Sequence, residues 1–355
     1  MHSANGTVNS REFLKKVIQR LVRRENLTAD EATRLMEIFI AGDFEHVQLG
    51  CIIMGLRLKR ETPEELKGLL LPYRRAAQPI DVPERFNFVD LCGTGGDGPS
   101  ADVFNISTTA AFVACGAGVP IVKHGTSAVS SQSGSSDVLA ALGIQPTLTS
   151  EDVKYRLENG GIAYLHGPAL NSAMRNVIAP RHASGMRSFF NLLGPMSNPA
   201  RPKRQIIGIY SQDYTEIVAQ TLAMVGSERV MVVSADDGLD ELSIHVPTKI
   251  SELKDGKVHT YSFNPSEYGF STMNYSEVTG GNPEFNARKM VDILQGKVRG
   301  CALDVVVLNA AAVIMIGGLA ETMGQALELA RNSIEQGKAF AALEHSRKAR
   351  RAATT

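Results

Sequence analysis

The 355-residue chain is short of several things, and each shortage removes a class of protein. It has four cysteines, Cys51, Cys92, Cys115 and Cys301, far apart and with no CxxC spacing. That pattern supplies neither a disulfide framework nor a thiolate zinc site, and the residues read as reduced thiols of a cytosolic chain. It has no excess of charge, since 37 Lys and Arg balance 37 Asp and Glu. Proteins that grip a nucleic-acid backbone present a basic surface, so a net charge of zero argues against a nucleic-acid partner. No run approaches the ~20 apolar residues needed to span a bilayer. The stretch Met1 to Arg11 is polar and lacks the apolar centre of a signal peptide. The expectation is a cytoplasmic protein without a membrane partner. There is no internal repeat and no long low-complexity tract, and the basic stretch from Arg347 to Arg351 reads as a solvated end.

What is present is the composition of a globular protein, 43% apolar and 21% charged, at a length that supplies one large domain or two smaller ones. The first ~80 residues carry helical signals. Phe13, Val17, Leu21 and Val22 recur at helical spacing. Thr28-Ala29-Asp30-Glu31 is a capping box, followed by Ala32, Leu35, Met36, Phe39 and Ile40 on one face. Thr62-Pro63-Glu64-Glu65 is a second box with proline at the first helical position. Val47 to Leu58 between them reads as an apolar helix, and residues 76–85, with Pro79 and Pro83, as a linker.

After residue 86 short apolar runs alternate with helical stretches. Strands are predicted at 88–91, 120–123, 207–210, 230–233 and 305–308, with helices at 106–115 and between 210 and 230. Strand–helix alternation argues an α/β domain with a mainly parallel sheet. The expected division is a small helical domain, residues 1–80 joined by helices from about 169–190, and a larger α/β domain, residues 81–355.

Four segments carry the chemistry. Gly93-Thr94-Gly95-Gly96-Asp97-Gly98 follows a strand, and bare glycine backbone lets N–H groups approach a phosphate. It lacks the GK[ST] ending of a P-loop and the spacing of a dinucleotide fingerprint, and alone it is equally a structural turn. Phe104-Asn105-Ile106-Ser107-Thr108 opens the next helix, where free N–H groups attract anions. Lys123-His124-Gly125 closes a strand and enters a loop, 126–136, containing Ser127, Ser130, Ser131, Ser133 and Ser135; strand ends in parallel sheets are where ligands collect. Asp236-Asp237-Gly238-Leu239-Asp240-Glu241 follows the 230–233 strand, and adjacent carboxylates suit Mg²⁺ shared with a substrate's phosphates. An acidic turn in water is the plain alternative.

Taken together, GTGGDG (93–98), FNIST (104–108), KHG and AVSSxSGSxDVLxALG (within 123–143), NLLGPMSNP (191–199) and DGLDEL (237–242) resemble the anthranilate phosphoribosyltransferase family across about residues 11–344. Pyrimidine-type nucleoside phosphorylases share the fold and part of the KHG segment. The resemblance implies the nucleoside phosphorylase/phosphoribosyltransferase architecture, and a transfer of phosphoribosyl from phosphoribosyl pyrophosphate (PRPP) to an aromatic amine. It assigns Gly93, Gly96, Asp97, Asn105, Ser107, Thr108, Lys123 and Ser135 to PRPP. It assigns Ser107, Asp240 and Glu241 to Mg²⁺, with two ions expected. It assigns Gly93, His124, Thr126, Asn171, Arg181 and Pro195 to the acceptor side, where the Arg181 fork would pair with a carboxylate. No general base is implied, because an aniline-type nitrogen is already nucleophilic.

The family's KHGNR reads Lys123-His124-Gly125-Thr126-Ser127 here, its HPAM histidine is Asn171, and the loop between Gly98 and Phe104 is two residues longer. These departures leave open a different aromatic or heterocyclic acceptor, and a non-catalytic paralogue that binds a ligand or nucleic acid. The family implies a homodimer through the helical domain, for which Phe39, Ile40, Ile52 and Ile53 are candidate contacts.

Overall fold

The computed structural model of the chain describes residues 4–95, 103–127, 132–270 and 274–349. Helices α1 (Ala4–Val22), α2 (Ala29–Ala41), α3 (His46–Lys59) and α4 (Pro63–Arg75) form the N-terminal unit. Both predicted capping boxes are made: Thr28 and Thr62 accept from the backbone N–H of Glu31 and Glu65, whose carboxylates accept in return. Leu14, Val17 and Leu21 of α1 point inward, whereas Val22 is 78% exposed, so the apolar spacing overran the packed face by one residue.

The remaining elements, in chain order, build a sheet flanked by helices. They are β1 (Val89–Gly93), α5 (Ile106–Gly116), β2 (Ile121–Gly125), α6 (Ser135–Ala141), α7 (Ser150–Asn159), β3 (Ile162–His166), α8 (Gly167–Leu170), α9 (Ile178–Ser184), α10 (Phe189–Met196), β4 (Arg204–Gly208), α11 (Thr215–Met224) and β5 (Arg229–Ala235). Then follow β6 (Thr248–Lys254), β7 (Lys257–Phe263), α12 (Tyr275–Val278), α13 (Pro283–Leu294), α14 (Cys301–Gly317), α15 (Met323–Glu335) and α16 (Lys338–Lys348). The strand order is β3-β2-β1-β4-β5-β6-β7. The strands from β1 to β5 are parallel, and β6 and β7 add an antiparallel edge. The chain winds from β1 outward through β2 to β3, then returns to lay β4 on the other side of β1. That reversal puts the topological switch point between β1 and β4, where open α/β sheets bind ligands beyond their carboxyl ends.

One predicted element is corrected. Residues 305–308 lie inside α14, not in a strand. This helix is buried nearly all round, from Val305 through Ala310 to Ile316, so its apolar residues show no face. The proposed dimer contacts are also corrected: Phe39, Ile52 and Ile53 are fully buried within the helical core, and Ile40 packs against it. That core is continuous with one face of the sheet, through Phe189, Leu193, Ile207, Val218, Val230 and Val232. Helices α5, α14, α15 and α16 cover the other face. Among the described residues no helix is long and apolar enough to cross a membrane.

Candidate active site

The carboxyl ends of β1, β2 and β4 bring the donor-side segments together. Gly93 ends β1 beside Gly208, the last residue of β4. Both positions need glycine because the Asp240 turn folds over them. A Cβ on Gly208 would stand 1.5 Å from the Asp240 carbonyl oxygen, and one on Gly93 would stand 2.3 Å from Asp240 Oδ2. The loop after β1 is held on both sides: Thr94 N–H donates to the Gly208 carbonyl (3.0 Å), and Tyr210 N–H donates to Thr94 Oγ1 (2.9 Å). Gly95 N–H donates to Asp240 Oδ2 (2.8 Å).

The start of α5 closes the other wall. Ser107 N–H donates to Glu241 Oε1 (2.9 Å), and Lys123 Nζ donates to the Leu91 carbonyl (2.6 Å) and to Ser107 Oγ (3.3 Å). Thr108 Oγ1 donates to Ser135 Oγ (3.2 Å). Asn105 is tied up within the protein. Its amide donates to the Ser133 carbonyl (3.0 Å) and its Oδ1 accepts from Asn286 Nδ2 (3.0 Å), so it fixes the serine loop against α5. Gly93, Ser107, Thr108, Lys123, Ser135, Asp240 and Glu241 therefore form one constellation, whereas Gly96 and Asp97 lie outside the described residues.

The electrostatics of this constellation are unbalanced. Glu241 Oε2 is closed to solvent and has no hydrogen-bond partner. Burial, and then repulsion from Asp240, push the Glu241 carboxyl well above its ordinary value. Two adjacent carboxylates, one with a free oxygen, make a receptor for a hard divalent cation. Among the described residues no three His, Cys, Asp or Glu side chains gather as a metal group, so a cation here would draw its remaining oxygens from serine, water or a ligand.

The acceptor-side residues fall into two groups. His124 is buried, and its backbone N–H donates to Asp90 Oδ1 (3.0 Å). Burial, Lys123 and His166 pull the imidazole down to about 4, so it is neutral at pH 7. Asp90, pushed up to about 6 by burial, also accepts from Gln205 Nε2 (3.4 Å), which reaches the Pro195 carbonyl at the same distance. His124 and Pro195 are thus linked through Asp90 and Gln205. Arg181 and Asn171 meet at Tyr73 instead. Arg181 stands 5.9 Å from the Phe190 ring centroid. Burial raises the Tyr73 phenol, and the Arg181 charge partly offsets that rise. The Asn171 amide donates to the Tyr73 carbonyl (3.0 Å) and its oxygen accepts from Ala173 N–H (2.9 Å). Asn171 therefore has both ends of its amide engaged by backbone. Thr126 and Ser127 are exposed, and the Thr126 hydroxyl donates to the Ser127 carbonyl (3.0 Å).

Comparison with known proteins gives this geometry a context. A family profile described as "Glycosyl transferase family, a/b domain" matches residues 85–340, and its "helical bundle domain" counterpart matches residues 15–77. The anthranilate phosphoribosyltransferase of Moorella thermoacetica is 43% identical over 332 residues, covering 94% of this chain and 97% of that protein. The chain belongs to the anthranilate phosphoribosyltransferase family. The family member from Haloarcula marismortui is 40% identical over 92% of this chain and 97% of its own length. The crystal structure of the Thermus thermophilus member superposes with a TM-score of 0.85 at 32% identity, covering 94% of this chain and 98% of that one. The Saccharomyces cerevisiae member, solved in complex with PRPP and Mg, shares the fold at a TM-score of 0.83 and 24% identity, covering 95% of this chain and 97% of that one.

Sequence reading missed several residues of this site. Gly208 had a usable signal, since a glycine inside an apolar strand marks close backbone approach. Asp90, Gln205 and Asn286 had none, because each acts through partners distant in sequence.

Proposed function

We propose that the protein transfers the phosphoribosyl group of PRPP to the amine of anthranilate and releases pyrophosphate. The observation that carries this reading is the pair of bonds from Gly95 and Ser107 to the Asp240–Glu241 carboxylates, which join the loop after β1, the start of α5 and the acidic turn at the switch point. Asp240, Glu241 and Ser107 would hold Mg²⁺, in two ions by the family expectation, and Glu241 Oε2 is an oxygen left without a protein partner. Bound there, Mg²⁺ would neutralise the charge that develops on the departing pyrophosphate. Backbone N–H groups at the start of α5 would orient the phosphates, and Lys123 adds a fixed positive charge beside them. Holding amine and sugar carbon in line supplies much of the acceleration. A neutral His124 and a charged Arg181 suit an acceptor that carries one carboxylate on an aromatic ring.

The reading includes a cytoplasmic homodimer built from a helical domain (1–80) and an α/β domain (81–355). Support for the dimer comes from α3, whose exposed face carries Val47, Cys51, Met54 and Leu58. Their spacings of four, three and four residues read alike in both directions. Two copies of α3 laid antiparallel would pair Val47 with Leu58 and Cys51 with Met54, and would bring exposed Glu45 alongside exposed Arg60.

The test is loss of anthranilate fluorescence in the presence of PRPP and Mg²⁺. Steady loss that stops with EDTA, and in an Asp240→Ala/Glu241→Ala variant, is the expected result. A second reading rests on Thr126, Ser127 and Asn171: an acceptor other than anthranilate. Unchanged fluorescence together with calorimetric binding of PRPP and Mg²⁺ would select it.

A further inference from the structure

Where the loop leaves β1, the Thr94 and Gly95 N–H groups turn to the Gly208 carbonyl and the Asp240 carboxylate, and the carbonyls of the same two residues have a cationic partner. Arg187, in the segment between α9 and α10, donates from Nη1 to the Gly95 carbonyl (2.8 Å) and to the Thr94 carbonyl (3.3 Å). The peptide unit joining Thr94 to Gly95 is therefore held at both ends. Its C=O faces the Arg187 guanidinium, and its N–H donates to Asp240 Oδ2 (2.8 Å). Hydrogen bonds in series polarise one another, so a positive charge on the carbonyl strengthens the N–H as a donor to the carboxylate.

Arg187 is itself held. Its guanidinium lies 4.8 Å from the centroid of the Tyr210 ring, and the Tyr210 N–H fixes the Thr94 side chain. The same ring takes Arg57 of α3 at 5.3 Å, and Arg57 Nη1 donates to the Tyr210 hydroxyl (3.2 Å). Arg57 also lies over Tyr214, whose hydroxyl donates to buried Glu61 (2.8 Å). The loop backbone is thus braced from the helical unit through a chain of named contacts that none of the sequence motifs contains.

We propose that Arg187 is a positioning residue for the diphosphate and cation end of the site, acting on Asp240 through the Thr94–Gly95 peptide. The proposal rests on the reading of the site as a PRPP and Mg²⁺ site. It separates Arg187 from Arg181, six residues earlier on α9, which the resemblance assigns to the acceptor.

The experiment compares wild type, Arg187→Met and Arg187→Lys by calorimetric binding of PRPP with Mg²⁺, by Mg²⁺ titration of the rate, and by the separate KM values of the two substrates. Partners that orient a metal's carboxylates change metal affinity roughly 10- to 100-fold when removed. The Met variant is expected to bind PRPP·Mg²⁺ at least about tenfold more weakly and to need more Mg²⁺ for half-maximal rate, at an unchanged anthranilate KM. The Lys variant keeps the charge, loses the fork, and should recover part of the loss. If the Met variant does not fold, the Lys variant carries the same comparison, with a raised PRPP KM expected. PRPP·Mg²⁺ affinity equal to wild type in a folded Met variant overturns the proposal. So does a loss confined to anthranilate. Wild type that binds no PRPP overturns the site reading itself, and is told apart because it needs no variant.

Discussion

Replacing Glu241 by Gln should make the ligand-free protein more stable and the liganded protein less so. The reason lies in the orphaned Oε2, shut from solvent beside a second carboxylate. An unsatisfied buried polar group costs about 1–3 kcal/mol and more when charged, so a neutral side chain here lowers the cost by on the order of 1 kcal/mol. Glutamine keeps an oxygen for the Ser107 N–H, places its amide nitrogen where Oε2 stood, and removes the negative charge next to Asp240. For 355 residues the entropy of unfolding makes a change of about 1 kcal/mol worth about 1–2 °C in Tm, so the variant should melt roughly 1–2 °C above wild type without ligand. The sign with pH follows from the direction of the shift. A carboxyl whose folded pKa is raised favours the fold below its unfolded value, and that contribution is lost as pH rises through the folded value. The gap should therefore widen as pH rises above the ordinary carboxyl range. Ligand reverses the order: PRPP and Mg²⁺ at about a hundred times Kd add about 2.7 kcal/mol to wild type and little to the variant. Differential scanning fluorimetry at two pH values, with and without PRPP and Mg²⁺, reads all of this. A ligand-free variant that melts below wild type at the higher pH would refute the reasoning, because Glu241 would then be a structural acceptor.

Three further outcomes are expected. Gly208→Ala places a methyl 1.5 Å from the Asp240 carbonyl oxygen and must displace the acidic turn; stability should fall by about 1–3 kcal/mol and PRPP binding with it, measured by urea unfolding and calorimetry. Asn171→Ala strips the donor from the Tyr73 carbonyl and the acceptor from Ala173 N–H, and should cost about 1–3 kcal/mol in thermal unfolding even with no acceptor present. Leu58→Asp, on the exposed face of α3, should shift the protein from dimer to monomer in sedimentation velocity while its far-UV circular dichroism stays that of wild type.

Much of the site was legible because its signals are local. A capping box spans four residues, and the boxes at Thr28 and Thr62 both stand in the structure. The glycine-rich loop, the helix start at Asn105 and the acidic turn each announce themselves in a few consecutive residues, and a parallel sheet collects such segments at one edge. What stayed hidden depended on burial or on distance. Residues 305–308 read as a strand because a helix buried on every side is apolar on every side, and four such residues carry no period. Strand β7 was unread for the opposite reason: as an edge strand it is mostly exposed, with little apolar alternation. The dimer candidates failed because spacing identifies a helical face without saying whether it meets its own core or solvent. Ile52 and Ile53 meet the core, while Met54, next along, does not. Arg187 and Asn286 bond to residues 92 and 181 positions away, across gaps no local pattern spans.

The shared core has a consequence for how the molecule comes apart. Leu66, Leu69 and Leu70 of α4 belong to the same apolar cluster as Ile207, Val230 and Val232 of the sheet, joined through Leu193 of α10 and Val218 of α11. Freeing the first four helices would strip that face of the sheet, and the helices themselves would expose leucines buried to 0%. Unfolding on this side is therefore cooperative across the join. Heat or denaturant should melt the helical unit, strands β4 and β5, and the Gly208–Asp240 contact in a single transition. A fragment that stops at the linker would lack the partner that makes its helices amphipathic to any purpose.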